Sequence, residues 1–441
     1  MTREIKSCAV VGIGYIGLPT AAVIAQSGIK VTGVDINQHL VDGVRQGVCD
    51  SIEPGLADLV TDVVRRGALT ADTAVPEADV YIIAVPTPFE GGFKPDLSYV
   101  RSAALSVAPV LKKGTLVVVE STIPVGATEQ VSRWLAAARP DLRFSKRNGG
   151  ASSPPDVLVA HSPERILPGQ MLRELTANDR IVGGVCPQAA EVARTFYRTF
   201  VKGECLATDS RTAELCKLAE NSFRDVNIAF ANELAGICDE THVDVWELIS
   251  LANRHPRVNI LKPGPGVGGH CIAVDPWFIV SQLADKSRLI REARWINSAR
   301  PRQVVAKVLD ACRQSNVRSV SCLGLAYKAD VDDFRESPAV EVTADLVHEL
   351  EIAGLDVKVQ ATDPNLREGH PEGLSESNVA IVDLDTALSA DILVLLVDHR
   401  EFAAIPEARL AGKILIDTRG LWPIARSGRG WIGPANLIAA E

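Results

Sequence analysis

The stretch CAVVGIGYIGLPTAAVIAQSG, residues 8–28, constrains the fold more than any other part of this chain. A charge-free apolar run meets three glycines, Gly12, Gly14 and Gly17, and leads into an alanine-rich helical pattern. Between a strand and a helix the three glycines serve different ends. One allows a tight turn, one lets backbone approach a pyrophosphate, and one lets helix pack closely on strand. KVTGVDIN follows as a second strand ending at Asp35, 18 residues beyond Gly17. A carboxylate there accepts hydrogen bonds from an adenosine ribose and repels a 2′-phosphate, which favours NAD over NADP. FAD uses the same turn, so the turn alone leaves the chemistry open.

The same run invites a second reading. From Ser7 to Ile29 there is no charge, a length that would suit a membrane anchor. Its four glycines, Pro19, Gln26 and Ser27, and the lack of a stop-transfer flank, favour strand, turn and helix, and a cytoplasmic protein is expected. A net charge of −9 argues against nucleic acid or an anionic membrane as partner, and leaves room for a local basic site for a small anion. Nine cysteines without a C-x-x-C pair read as thiols in a reducing compartment, not as disulfides or a zinc site. Eight histidines without ligand spacing support no metal site.

Further strand-like runs occur at DVYIIAVPTP (79–88), TLVVVEST (115–122) and DVLVAHSPER (156–165), with helical patterns between them. That alternation predicts a doubly wound parallel sheet. Ligands then belong outside the carboxyl ends of the strands, where VPTP, STIPVG and SPER fall. KRNGGASSPPD (146–156) reads as a surface loop. A long helix is predicted from about Thr212 to His242, followed by a shorter one in DVWELISLAN, a glycine-rich loop and more helix to about Gln314. After Val317 the α/β rhythm returns in SVSCLGLAYK, DVKVQATDP, DILVLLVDH and KILIDTRG. The expected fold is therefore α/β, two doubly wound Rossmann-like domains joined by a central helical segment with a long helix. The expected boundaries are 1–205, 206–315 and 316–441, the long helix being a candidate interface for a homodimer.

Three stretches carry candidate chemistry. On the long helix Lys217, Asn221 and Arg224 stand at i, i+4 and i+7 on one face, with Glu214 and Glu220 near it. Such a face is either solvated with local ion pairs or a site for an anionic substrate and a developing oxyanion. Asparagine is locally unfavourable in mid-helix, which lends weight to the second. HSPERILPG places Glu164 and Arg165 just past a strand, where a carboxylate is either a cap or ion-pair partner or a general base. GPGVGGHCIAVDP (264–276) surrounds Cys271 with four glycines. That cysteine is either a small buried hydrophobe or a nucleophile. Beside a nicotinamide, a thiolate can trap an aldehyde as a thiohemiacetal; loss of a second hydride gives a thioester, and water then releases an acid. A thiol with a pKa near about 8.5 needs a neighbouring cation or base for this, and Lys217 and Asp275 are the candidates.

In order along the chain, GIGYIGLP, VPTPF, ESTIPVG, SPERILPG, AELCKLAENSFRDVNIAFANEL, GPGVGGHCIAVDP and GLAYKADVDDFRESPA resemble the UDP-glucose/GDP-mannose 6-dehydrogenase family, from about Ala9 to Trp422. The resemblance implies that Cys271 is the nucleophile, that Lys217 transfers protons and stabilises charge, and that Asn221 helps to hold the oxyanion. It implies that Glu164 activates the hydrolytic water, that Asp275 is the aspartate following the nucleophile, and that Thr122 lies near the nicotinamide and reacting centre. Tyr15, Ile16, Asp35, Thr87, Thr122 and Arg335 join the three glycines as implied NAD contacts. Arg165, Ile166, Lys217, Asn221, Arg224, Gly268 and Lys328 fall at nucleotide-sugar positions, and His255 and Arg257 match a region that reaches substrate across a dimer. The first domain would bind NAD and the last the UDP. Within the family, residues 253–280 are most similar to the branch that oxidises UDP-N-acetyl-D-mannosamine for surface polysaccharides. In the glucose branch Pro-Glu is followed by Phe-Leu and a second acid; here Arg165 and Pro168 stand instead. That leaves Glu164 as the only local base and points to an N-acetylated sugar. The manno configuration rests on resemblance alone, with UDP-N-acetylglucosamine and UDP-glucose as alternatives.

Overall fold

The computed structural model describes residues 5–51, 53–146, 154–167, 169–269, 271–367 and 369–423. Most of the loop expected at 146–156, together with Pro168 and His270, lies outside the described residues. The chain divides into two compact units, one running to Glu220 and including Trp277–Leu283, the other made of Asn221–Pro276 and Ala284 onward. The helix Ser210–Thr241, 32 residues long, contributes its first part to one unit and the remainder to the other.

The first unit is built on β1 (Ser7–Val11), β2 (Lys30–Val34), β3 (Leu69–Asp72), β4 (Val80–Ile83), a hairpin of β5 (Phe89–Glu90) and β6 (Lys94–Pro95), β7 (Thr115–Val119), β8 (Val157–His161), β9 (Arg180–Gly184) and β10 (Cys205–Asp209). Apart from the hairpin these strands form one sheet in the order β10-β9-β8-β7-β4-β1-β2-β3. Alternate residues feed two cores: Val10, Ile82 and Val118 face the helix Gly17–Gln26, while Ala9, Tyr81 and Val117 face the helices Ser98–Val107 and Ala127–Ala138. Burial on both faces is why VYII and TLVVV read as unbroken apolar runs. Winding reverses between β1 and β4, which places the ligand crevice outside their carboxyl ends. One pairing departs from the parallel rule, since β9 runs antiparallel to β8.

The second unit carries β11 (Ser319–Leu323), β12 (Lys358–Thr362), β13 (Ala380–Ile381), β14 (Ile392–Leu395) and β15 (Ile414–Asp417), all parallel, in the order β13-β12-β11-β14-β15. This repeats the β3-β2-β1-β4-β7 order of the first sheet. The correspondence reaches the level of atoms. Gly12 (φ +92°) donates from its N–H to the Val34 carbonyl at 2.8 Å, and Gly324 (φ +91°) to the Thr362 carbonyl at 2.9 Å. Asp35 accepts from the Ile13 N–H at 3.0 Å, and Asp363 from the Leu325 and Ala326 N–H groups at 2.7 and 3.0 Å. Among the described residues, no helix is long and apolar enough to cross a membrane.

Candidate active site

The glycine turn after β1 separates what the fold needs from what a ligand needs. A Cβ on Gly12 would lie 2.6 Å from the Ala84 carbonyl oxygen, and one on Gly17 only 1.7 Å from the Gly12 carbonyl oxygen. Both positions are glycine because backbone packs there. A Cβ on Gly14 would meet nothing within 4 Å. No protein contact demands glycine at that position, so the open backbone fits the approach of a pyrophosphate. Tyr15 lies exposed and Ile16 half-buried beside it. Asp35 holds the turn through the Ile13 N–H and receives the Asn37 N–H at 2.9 Å, while remaining part-exposed and able to accept from a ribose. Its counterpart Asp363 is buried against His399 Nε2 at 3.1 Å and has no such freedom. Of the two similar sheets, the first therefore suits a dinucleotide. Thr87 and Thr122, assigned to one site by resemblance, do meet: Thr87 Oγ1 donates to the Thr122 carbonyl at 2.7 Å.

The acidic residues flanking Lys217 are anchors. The helix Ala127–Ala138 starts at Gly126, a left-handed residue with no side chain to cap it. Glu214, fully buried, fills that role from the long helix: its carboxylate accepts from the Gly126 N–H (2.5 Å), the Thr128 N–H (2.7 Å) and Thr128 Oγ1 (2.6 Å). Glu220 pairs with Arg165 at 2.8 Å. Lys217 thus sits, half-buried, between two fixed points three residues away on either side. Near it, at the end of β8, the buried His161 donates from Nδ1 to the Val119 carbonyl at 2.8 Å, the tautomer being assigned from that acceptor. Burial first, then the positive charge of Lys217, pushes its pKa down to about 4, so the ring is neutral.

Glu164 is not the solitary carboxylate expected. It is buried; one oxygen accepts from the Arg165 N–H at 2.6 Å and the other from Arg180 Nη2 at 2.9 Å. Arg180 reaches Glu120 through Nη1 at 3.1 Å, and Tyr197 donates its hydroxyl to the same Glu120 oxygen at 2.6 Å. The sequence reading missed Glu120, Arg180 and Tyr197 because they come from the end of β7, from β9 and from the helix Pro187–Tyr197. Two signals were there: an acid directly after the fully buried TLVVV, and an arginine opening the apolar strand RIVGG.

In the second unit Asn221 Nδ2 donates to Asp275 Oδ2 at 2.5 Å, so two of the implied catalytic residues are brought together. Asp275 is buried at the start of the helix Asp275–Gln282, and its N–H donates to the Cys271 carbonyl at 2.8 Å. Cys271 is the only exposed cysteine of the nine. Burial pushes the thiols of Cys312 and Cys322 up to about 11 and that of Cys8 well above its ordinary value. The buried-hydrophobe reading therefore fits those residues and not Cys271. The glycines of its loop are taken up by packing. A Cβ on Gly268 would lie 2.5 Å from the Glu336 carbonyl oxygen, and Gly269 (φ +83°) lies against the Tyr327 ring. Gly264 donates its N–H to Asn232 Oδ1 at 2.9 Å. Asn232 in turn donates to Asn297, which donates to Asp225 beside Arg294, all buried. The loop that carries the thiol is pinned to its own unit. Arg335 is held by Asp333 at 2.6 and 2.8 Å. Arg224, Lys328, His255 and Arg257 are exposed, the Arg257 N–H meeting His255 Nδ1 at 3.3 Å.

The glycine turn after β1 with the part-exposed Asp35 fits the class of an NAD-linked dehydrogenase. Family models agree along the chain. The NAD binding domain of the UDP-glucose/GDP-mannose dehydrogenase family matches residues 6–201, its central domain 211–299 and its UDP binding domain 321–423. An NDP-N-acetyl-D-galactosaminuronic acid dehydrogenase of Ralstonia nicotianae is 53% identical over 424 residues, 96% of this chain and 98% of that protein. A UDP-N-acetyl-D-mannosamine dehydrogenase of Salmonella typhi is 52% identical, covering 94% of this chain and 98% of that one. The solved UDP-D-ManNAc dehydrogenase of Pyrococcus horikoshii is 38% identical with a TM-score of 0.83, over 94% and 96% of the two chains. The chain belongs to the UDP-glucose/GDP-mannose dehydrogenase family. It is an NAD-dependent nucleotide-sugar dehydrogenase acting on a UDP-sugar.

Proposed function

We propose that this enzyme oxidises the C6 alcohol of UDP-N-acetyl-D-mannosamine to the carboxylate of UDP-N-acetyl-D-mannosaminuronate, a precursor of surface polysaccharide. The observation that carries the covalent route is Cys271, exposed on a loop whose glycines are packed against protein. NAD held at the glycine turn and Asp35 supplies the hydride acceptor, once for each oxidation. Lys217 takes the alcohol proton, and Lys217 and Asn221 steady negative charge on the oxygen at C6. Asp275 orients Asn221 through their 2.5 Å bond. Cys271 adds to the aldehyde carbon as a thiolate, giving a thiohemiacetal that is oxidised to a thioester. Glu164 takes a proton from water, whose oxygen bonds to the thioester carbon; the C–S bond breaks and Cys271 leaves. In sum, one alcohol, two NAD⁺ and one water give one carboxylate, two NADH and three protons. Thr122 shapes the nicotinamide side; Tyr15, Ile16, Thr87 and Arg335 serve NAD, and Arg165, Ile166, Arg224, Gly268 and Lys328 the UDP-sugar.

Support for the manno sugar comes from relatives of that name, among them the Salmonella enzyme and the Pyrococcus structure. A galacto-configured N-acetyl sugar is the second reading, favoured by the Ralstonia relative at 53% identity. The test is NADH formed per limiting sugar, run in parallel on UDP-N-acetylmannosamine, UDP-N-acetylgalactosamine, UDP-N-acetylglucosamine and UDP-glucose. A yield near two from the manno sugar, with the highest kcat/KM, is expected. A yield near one would remove the covalent role of Cys271, and faster turnover of another sugar would replace the substrate. Cys271→Ser is expected to lower NADH formation by at least about a hundredfold, because an alcohol is a far poorer nucleophile than a thiolate.

The proposed organisation keeps three parts, an NAD-binding domain to about residue 205, a central helical part to about 315 and a UDP-binding domain beyond, in a cytoplasmic homodimer. The dimer is supported by Phe223, Phe230 and Ile237, spaced seven apart on the long helix and 72%, 51% and 50% exposed. Seven residues are nearly two helical turns, so the three form one apolar stripe suited to a second copy of the same helix. His255 and Arg257 would then reach the substrate of the second copy.

A further inference from the structure

Glu120, the first residue after β7, is 2% exposed. Its Oε1 accepts from both Arg180 and Tyr197, while Oε2 has no hydrogen-bond partner among the described residues. Arg180 opens β9, is itself buried, and lies 4.8 Å over the Tyr197 ring while its other nitrogen holds Glu164. Two buried carboxylates thus face one guanidinium. Fixing the SPER loop needs only the Arg180–Glu164 pair, which would be neutral overall. A second buried acid adds a desolvation cost that a purely structural pair does not require.

We propose that Glu120 and Arg180 form a positioning clamp behind Glu164, in which Arg180 orients the Glu164 carboxylate and Glu120, by sharing the guanidinium, keeps that carboxylate basic enough to deprotonate the hydrolytic water. The clamp rests on the reading above, in which Glu164 serves thioester hydrolysis. A carboxylate paired fully with arginine is a weak base, and a like charge nearby restores its proton affinity. Besides the Arg165 side chain, which pairs with Glu220, and the Arg194 and Arg198 side chains, whose charge is felt at Cys205, four uncharged groups face the clamp. They are the Tyr197 phenol, the Thr20 hydroxyl from the helix Gly17–Gln26, Cys8 from β1 and Cys205 from β10. Burial, opposed by Arg180 and aided by Glu164, pushes the Glu120 carboxyl up. Burial also works against the Arg180 charge, yet Glu164 and Glu120 outweigh it and keep the guanidinium ionised. A cavity of about 10 Å³, on the scale of a single water, is lined by Glu164, Arg165, Ile166 and Arg180 among others.

The test is Glu120→Gln in the full-length enzyme, since glutamine still accepts from Arg180 and Tyr197 and its amide can meet Thr20. Arg180 would then pair wholly with Glu164. Hydrolysis should slow about tenfold while the hydride steps persist, giving a burst of about two NADH per site before slow turnover. The acid limb of the kcat profile should move down by roughly one pH unit, with KM for the sugar little changed. Tyr197→Phe, which removes one hydrogen bond to Glu120, should move the limb in the same direction by less, and it decides the matter if Glu120→Gln does not fold. An unmoved limb and no burst in a folded variant would make Glu120 structural and overturn the clamp. A wild-type yield of one NADH per sugar would instead overturn the hydrolytic reading, and the clamp with it.

Discussion

At the scale of single residues, Gly14 and Gly17 look identical in the G-x-G-x-x-G pattern and should behave oppositely. Gly17→Ala forces a Cβ to 1.7 Å from a carbonyl oxygen, so the fold must give way, and a loss of several degrees in melting temperature is expected. Gly14→Ala meets only open space at an ordinary backbone angle. It should melt within about 2 °C of the parent and raise the KM for NAD several-fold. Equal melting losses in both variants would refute the division. His161 provides a pH handle. In the unfolded chain its pKa is near about 6.5, and burial in the fold pushes it down to about 4. Above about pH 6.5 both states are neutral and this contribution to stability is fully present; as pH falls towards 4 the unfolded state takes up a proton that the fold does not, and stability is lost. His161→Asn should therefore flatten the fall in melting temperature between about pH 6.5 and 4 relative to the parent.

At the scale of elements, the long helix is positioned by acids that a reading of its face takes for solvated partners. Glu214 satisfies the donors at the start of the helix Ala127–Ala138, and Glu220 grips Arg165 beside Glu164. Glu214→Ala would leave those buried donors unmet at a cost of about 2 kcal/mol or more. A melting temperature unchanged in calorimetry would mean that water replaces the carboxylate. The loop carrying Cys271 is held by the same means, a buried chain from Asp225 through Asn297 and Asn232 to Gly264. In both cases a polar side chain on a helix takes the place of a local capping residue or turn.

At the scale of the whole molecule, the exposed phenylalanines of the long helix are the feature with an assembly consequence. Phe223→Asp together with Phe230→Asp places two charges on the stripe, and if the proposed dimer forms there, sedimentation should show a dimer for the parent and a monomer for the variant. Two copies remaining paired would assign the interface elsewhere. The two sheets raise a second molecular contrast. They share strand order, the positive-φ glycine after the first strand and the aspartate after the second. Only the first keeps its aspartate part-exposed, whereas the second buries Asp363 beneath His399. Two sheets of one architecture thus differ in whether a single carboxylate is sealed or left open.

The amino-acid sequence by itself determined the α/β class, the order of elements, the glycine turn with Asp35, and the loop around Cys271. Each of these is local, written as apolar periodicity, glycine spacing or a strand end within a few dozen residues. Only the tertiary structure decided that Glu164 shares Arg180 with Glu120, that β9 pairs antiparallel, that Glu214 caps a helix starting 87 residues earlier, and that the loop glycines at 264–269 pack on protein. The physical reason is the same for all four. A buried charge or a bare backbone acquires its meaning from the partner pressed against it, and in this fold that partner arrives from an element far away in the chain.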